Sequence, residues 1–210
     1  MKRSIRLVFV AIACLFALPL AAQENRALDA FNRFVNIVSA AKGDFSQYTV
    51  GPQGETALAQ SGDFAFARPG KFRWDIRQPY EQLVMSDGKS IYQYDPDLNQ
   101  VSIRTAAAAM GSSPAAILFG TGEIEEAFEV SALPDSEGMT WFRAVPRQPD
   151  AGLSQLDIGM REGNPTRLLL VDGFGQTTRI DLSGIRAQSA FPAKTFVFEV
   201  PPDTDAVRLD

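Results

Sequence analysis

The chain has 210 residues, with 25 acidic and 20 basic side chains, 15 phenylalanines, a single cysteine and no histidine. Without histidine, histidine-dependent triads are excluded, and with one cysteine so are the common zinc sites; only carboxylate, lysine or tyrosine chemistry stays open to an enzyme. The acidic balance disfavours nucleic acid and anionic headgroups as partners.

Lys2, Arg3 and Arg6 precede an apolar run from Leu7 to Leu18, and Pro19, Ala21 and Ala22 follow it before Gln23. This is the order of a secretory signal peptide. A run of about 12 residues is shorter than the roughly 20 that span a bilayer as a helix. Residues 1–22 are therefore read as a leader cleaved after Ala22, although Leu20 is bulky for the minus-three position. Residues 23–210 are read as a single exported domain, placed in the periplasm and expected to be monomeric. Losing three basic residues leaves 17 basic against 25 acidic, a net charge of −8. Cys14 departs with the leader, so no disulfide is expected. As a lipidation site it is poorly placed, because Ala11-Ile12-Ala13 lack the expected leucine and apolar residues follow.

Between Glu24 and Ala41, Leu28, Phe31, Phe34, Val35, Ile37 and Val38 recur at the spacing of one helix face, with Lys42 and Gly43 as the stop. Period-two patterning then predicts strands near 44–50, 57–68, 71–77, 82–86, 90–95 and 100–104. A second set is predicted near 128–133, 139–146, 154–161, 165–172, 176–187 and 194–199. Between the sets, 105–120 read TAAAAMGSSPAAILFG: two short helices broken at Gly111, the second capped by Ser113 with Pro114 at its first position. The expected fold is α+β, mainly β. It is a highly curved antiparallel sheet whose concave side holds the long N-terminal helix and the short internal ones.

Phe64 and Phe66 share a parity that continues to Arg68, while Phe72, Trp74 and Ile76 share one strand face and Phe196, Phe198 and Val200 another. Phenylalanine brings apolar area with no polar group to satisfy. Periodicity alone does not separate an aromatic-rich core from a hollow one.

Other signals are weak. Asp95-Pro96-Asp97-Leu98-Asn99 begins like a calcium loop, but Gln100 and Ala106 occupy the required Gly and Glu positions, so a hairpin turn is expected and no metal. Gly120-Thr121-Gly122 lacks the third glycine of a dinucleotide fingerprint and reads as a helix-ending loop. Glu123, Glu125 and Glu126 read as a solvated face. An enzyme would need a carboxylate pair such as Asp157 and Asp181 facing one cleft; no motif supports that pair, and neither enzyme activity nor a cofactor is expected.

In order, FSQ at 45–47, SGDFAFARPGKFRW at 61–74, SDGKSIYQYDPDLNQV at 86–101, SPAAIL at 113–118 and FVFEVPPDTDAV at 196–207 together resemble the outer-membrane lipoprotein carrier family. The resemblance implies an incompletely closed antiparallel barrel lidded by helices over a hydrophobic cavity that receives lipoprotein acyl chains. It implies loading by an inner-membrane ABC-type lipoprotein-releasing complex and unloading to an outer-membrane lipoprotein receptor. It also implies that Arg68 latches the lid in the closed state, and that Phe72 and Trp74 lie at the cavity or its mouth. Leu28, Phe31, Phe34, Ile117, Leu118 and Phe119 are the lid candidates, and Phe64 and Phe66 join the cavity lining.

The residues read by themselves are compatible with that role. Arg68 has the parity of Phe64 and Phe66, so its charge would point at an apolar interior unless it found acceptors such as helix-end carbonyls. The alternative is that Arg68 lies beyond the strand end, with Pro69 and Gly70 turning the chain, and reaches solvent. Two other functions compete. An outer-membrane receptor of similar fold would need a lipidated cysteine at its mature N-terminus, which this chain lacks. A periplasmic carrier or sensor of another lipid or amphiphile on the same scaffold is harder to separate, because apolar cavities read chain volume more than identity.

Overall fold

The computed structural model describes residues 26–55, 59–106, 118–119, 124–148 and 152–209. The leader and Ile117 lie outside them, as does most of the Ala-rich stretch. Helix α1 (Arg26–Ile37) leads into β1 (Ala40–Val50), followed by the meander β2 (Gln60–Ala67), β3 (Lys71–Gln78), β4 (Gln82–Asp87), β5 (Ser90–Asp95) and β6 (Gln100–Thr105). A single helical turn, α2 (Ile124–Ala127), opens the second meander of β7 (Phe128–Ser136), β8 (Met139–Pro146), β9 (Gln155–Arg161), β10 (Asn164–Val171) and β11 (Thr177–Ala187), and β12 (Asp205–Arg208) ends the chain.

All twelve strands form one sheet in the order β12-β6-β5-β4-β3-β2-β1-β11-β10-β9-β8-β7. β1 is the hinge of this order, pairing with β2 on one side and β11 on the other. Among the described residues β12 and β7 do not pair, so the sheet curves without closing. The turns β7–β8 and β9–β10 are tight, with Glu137-Gly138 and Glu162-Gly163 all at positive φ, the backbone that matches the twist of two-residue hairpins.

Alternation along the strands separates two faces. Phe45, Phe64, Phe66, Phe72, Trp74, Phe142, Leu156, Ile158, Leu168, Ile180 and Leu182 are buried in one cluster on the concave side. The convex side carries arginine–aspartate pairs between and along strands. Arg143 meets Asp157 at 2.8 Å, Arg167 meets Asp181 at 2.5 Å, and Arg179 meets Asp181 at 2.7 Å. Arg77 pairs with Asp63. Asp157 and Asp181 therefore point away from the apolar face, each held by arginine, and share no cleft.

Two expectations are corrected. α1 ends at Ile37, four residues before the expected end at Ala41, because Ala40–Gly43 already pair as strand with Phe64–Ala67. Ile37 is consequently 73% exposed rather than part of the apolar face. The predicted strand 194–199 does not form. Pro192, Pro201 and Pro202 withhold ladder donors around it, Phe196 packs edge-on against Phe191, and Phe198 stacks on Tyr92. Phe196, Phe198 and Val200 thus share no strand face. The final strand lies later, at Asp205–Arg208, and runs parallel to β6 in an otherwise antiparallel sheet. In α2, Ile124 is anchored in the core while Glu125 and Glu126 face solvent; Glu123 and Gly120-Thr121-Gly122 lie outside the described residues.

The predicted calcium-like segment is a hairpin turn. Asp95 accepts the Leu98 N–H at 3.1 Å, and Asn99 sits at φ 49°. The same Asn99 donates to the Asp203 carbonyl at 2.7 Å and accepts from Thr204 at 3.1 Å, which fastens the C-terminal segment to the β5–β6 turn.

Gly43 lies at the bulge where the β1–β11 register shifts. A Cβ there would sit 2.7 Å from the Phe64 ring and 2.8 Å from the Ser183 carbonyl oxygen. Gly43→Ala is expected to lower the unfolding free energy by about 1–3 kcal/mol in urea titration, as overpacking does elsewhere. The Asp181 carboxyl tests the convex network: burial raises its pKa, but hydrogen bonds from Arg179 and Arg167 outweigh this and hold it below the usual carboxylate value. Its stabilisation is present above the unfolded value and lost as pH falls through the lower folded one. The wild-type advantage over Asp181→Asn in urea midpoint should therefore be full at pH 7 and shrink below about pH 4.

Candidate functional site

The concave face is organised as a continuous run of rings. Phe45 stacks on Trp74 at 3.9 Å between centroids, Trp74 lies 5.7 Å from Phe64, and Phe119 stacks on Phe64 at 5.4 Å and on Phe66 at 4.4 Å. Phe34 meets Phe66 edge-on at 6.1 Å, and Phe31 meets Phe142 at 5.5 Å. Cross-strand register explains the alignment, since Phe64 pairs with Trp74 and Phe66 with Phe72 on the same face.

Two segments cover these rings. α1 turns Ala27, Phe31 and Phe34 inward and packs on β8, β9 and β10. Leu118 and Phe119, both helical and both buried, lie over β2. The cover thus falls on both meanders, α1 mainly on the second with Phe34 reaching Phe66, and Leu118–Phe119 on the first.

Arg68 joins the two. Its Nε donates to the Val38 carbonyl at 3.3 Å, just past the end of α1, and its Nη2 donates to the Leu118 carbonyl at 3.1 Å. Both acceptors are carbonyls at or beside helix ends, where intrahelical partners run out. The guanidinium lies 4.9 Å from the Phe66 ring centroid and 6.0 Å from that of Phe34. Its own N–H is also used, donating to the Ser39 carbonyl at 2.7 Å. Burial lowers the Arg68 pKa to about 10, still well above neutrality, so the group stays charged at physiological pH. Arg68 is half-buried among rings and does not take the solvent-facing position that the turn at Pro69 and Gly70 would have permitted.

Of the residues singled out from sequence, Phe31, Phe34, Phe64, Phe66, Phe72, Trp74, Leu118 and Phe119 meet in the buried cluster, and Leu28 packs against its edge. Ile117 lies outside the described residues. Sequence reasoning missed Phe45 and Phe142. Phe45 is the lone large apolar residue between Gly43 and Gln47, a weak signal by itself. Phe142 follows Trp141, and two adjacent aromatics do not reveal which one points inward. Trp141 takes the convex side, in contact with the bare Gly159 position.

An unclosed antiparallel sheet that keeps its curved face apolar, under two segments tied by one arginine, defines a half-barrel with a separately covered apolar face. The family model described as outer membrane lipoprotein carrier protein LolA matches residues 36–199. Curated outer-membrane lipoprotein carrier proteins are similar over nearly the whole chain. That of Bordetella avium (strain 197N) is 55% identical over 199 residues, covering 95% of each chain. That of Bordetella pertussis (strain Tohama I) is 53% identical over 203 residues, covering 97% of this chain and 95% of the relative. The chain belongs to the outer membrane lipoprotein carrier family. Two solved structures share the fold at low identity. A LolA superfamily protein from Nitrosomonas europaea aligns with TM-score 0.50 and 10% identity, over 82% of this chain and 97% of its own. A conserved protein from Thermus thermophilus aligns with TM-score 0.53 and 13% identity, over 87% and 97%.

Phe119 touches both Phe64 and Phe66, so it measures how firmly the cover is seated. Phe119→Ala is expected to cost about 3 kcal/mol of stability in urea unfolding, the usual penalty for deleting a buried phenylalanine. An effect under about 0.5 kcal/mol would mean that the stack contributes little to closure.

Proposed function

We propose that this protein carries lipoproteins by taking their acyl chains onto the concave aromatic face. The observation that carries this reading is that the apolar face lies beneath two separate segments whose only shared charged tie is Arg68 among the described residues. A tie of two hydrogen bonds holds a cover closed yet yields when a ligand competes for the same surface.

The physics of the cargo explains why such a face is needed. Burial of an acyl chain is worth about 0.8 kcal/mol per methylene, so a triacylated anchor does not leave a bilayer unaided. A carrier must match that apolar surface while hiding its own when empty, since large exposed apolar patches invite association. We infer that the chain works in the periplasm as a monomer, delivered there by residues 1–22. An inner-membrane ABC-type releasing complex loads it, and an outer-membrane lipoprotein receptor unloads it. No step of this requires covalent chemistry by the carrier.

Within this reading Arg68 is the latch between α1 and Leu118–Phe119. Arg68→Leu removes both hydrogen bonds while keeping apolar bulk, and it is expected to retain bound lipoprotein, slowing release to acceptor membranes carrying the receptor by tenfold or more. Transfer kinetics equal to wild type would remove the latch from the mechanism. The carrier reading itself is tested by native mass spectrometry of detergent-free protein from cells accumulating lipoproteins. One triacylated lipoprotein per chain is the expected result. Consistent recovery of free phospholipid would instead identify a carrier of other amphiphiles.

A further inference from the structure

The concave face is not apolar throughout. Register carries two rows across β3 to β6: Phe72, Ser86, Ile91 and Arg104 in one, and Trp74, Val84, Gln93 and Ser102 in the other. Facing pairs share a side of the sheet, and Ile91 belongs to the buried concave cluster. Arg104, Gln93 and Ser102 therefore continue the aromatic floor on the same side. Each row passes from ring to hydrogen-bond donor within three strand spacings, about 14 Å.

The two sides of this wing are treated differently. Its convex side holds Met85, Val101 and Ile103, all buried, with Tyr92 and Tyr94 beneath Phe198 of the C-terminal segment. On its concave side Gln93 and Arg104 are exposed. The fold thus covers the apolar back of the wing and leaves the polar front open beside the aromatic floor.

A lipid-modified cysteine has the matching layout. Its acyl chains are hydrocarbon, but each joins the head through an ester or amide whose carbonyl accepts hydrogen bonds and is costly to bury unpaired. These carbonyls lie at the chain ends, and a wholly apolar floor has no donors for them. Glutamine Nε2, a serine hydroxyl and a guanidinium are all donors. We propose that the concave strip of Gln93, Ser102 and Arg104 seats the ester and amide linkages of the lipid-modified cysteine while its acyl chains lie on the adjoining rings. The proposal rests on the carrier reading and adds to it the place and chemistry of head recognition.

The test uses the purified mature protein and two probes: a synthetic tripalmitoylated S-glyceryl-cysteine peptide, and 1-N-phenylnaphthylamine, an apolar dye without carbonyls. The double variant Gln93→Leu with Arg104→Leu removes donors while adding apolar surface. The lipopeptide should bind about tenfold more weakly to it than to wild type, with dye affinity unchanged, which also shows that the variant is folded. Equal lipopeptide affinity in both proteins would overturn the strip and leave the carrier reading intact. An equal loss for dye and lipopeptide would overturn it too, by showing damage to the apolar face. Wild-type protein that takes the dye but not the lipopeptide would overturn both readings. A diacyl phospholipid preferred over the lipopeptide, and lost with Arg104→Leu, would reassign the strip to a phosphate headgroup.

Discussion

Everything in this molecule follows from an apolar sheet face that the sheet does not enclose by itself. A closed barrel hides its interior through strand pairing, and the cover then comes apart only with the fold. Here, among the described residues, pairing stops at β7 and β12, and α1 and Leu118–Phe119 cover the interior instead. Burial of large aromatic side chains at roughly 25 cal/mol per Å² makes that cover favourable. Because the cover is a separate layer, its closure can be weaker than the sheet beneath it.

Arg68 fits this division. A guanidinium among rings has lost part of its hydration, and the lowered pKa records the cost. Carbonyls on two different segments and the faces of Phe66 and Phe34 offset it. The convex side works the other way. Its arginines meet aspartates on neighbouring strands, as with Arg143 and Asp157 or Arg167 and Asp181, and stiffen the sheet where no motion is required. Among the described residues, ion pairs brace the back strand by strand, while on the front Arg68 alone spans from α1's end to Leu118.

Much of this was legible in the chain. Alternating Phe64, Phe66, Phe72 and Trp74 announced a strand face, because period two is set by the pleat itself and not by context. Arg68 was legible as a problem, a charge in phase with phenylalanines, but its solution was not. The Val38 and Leu118 carbonyls lie 30 and 50 residues away, and backbone acceptors leave no mark on side-chain pattern. The end of α1 was misplaced for a related reason: Val38 continues the helical period, while strand pairing at Ala40 overrides it. Phe196 and Phe198 alternate like strand residues, yet they pack individually on Phe191 and the tyrosine pair. A parallel four-residue strand held by Asn99, as β12 is, has no short-range signature.

The order of pairing also sets an order of assembly. The central seam joins β1 to β11, where Thr49 meets Thr178 across 129 positions of chain, and the far edge joins Asn99 to Asp203 and Thr204 across more than a hundred. Contacts so distant form late, after the local hairpins of each meander. Until they do, each half-sheet presents its phenylalanines uncovered, because α1 begins the chain but lies over strands made near its end. The same aromatic surface that the finished fold buries is thus the last to be covered, because its cover depends on the most distant contacts in the chain.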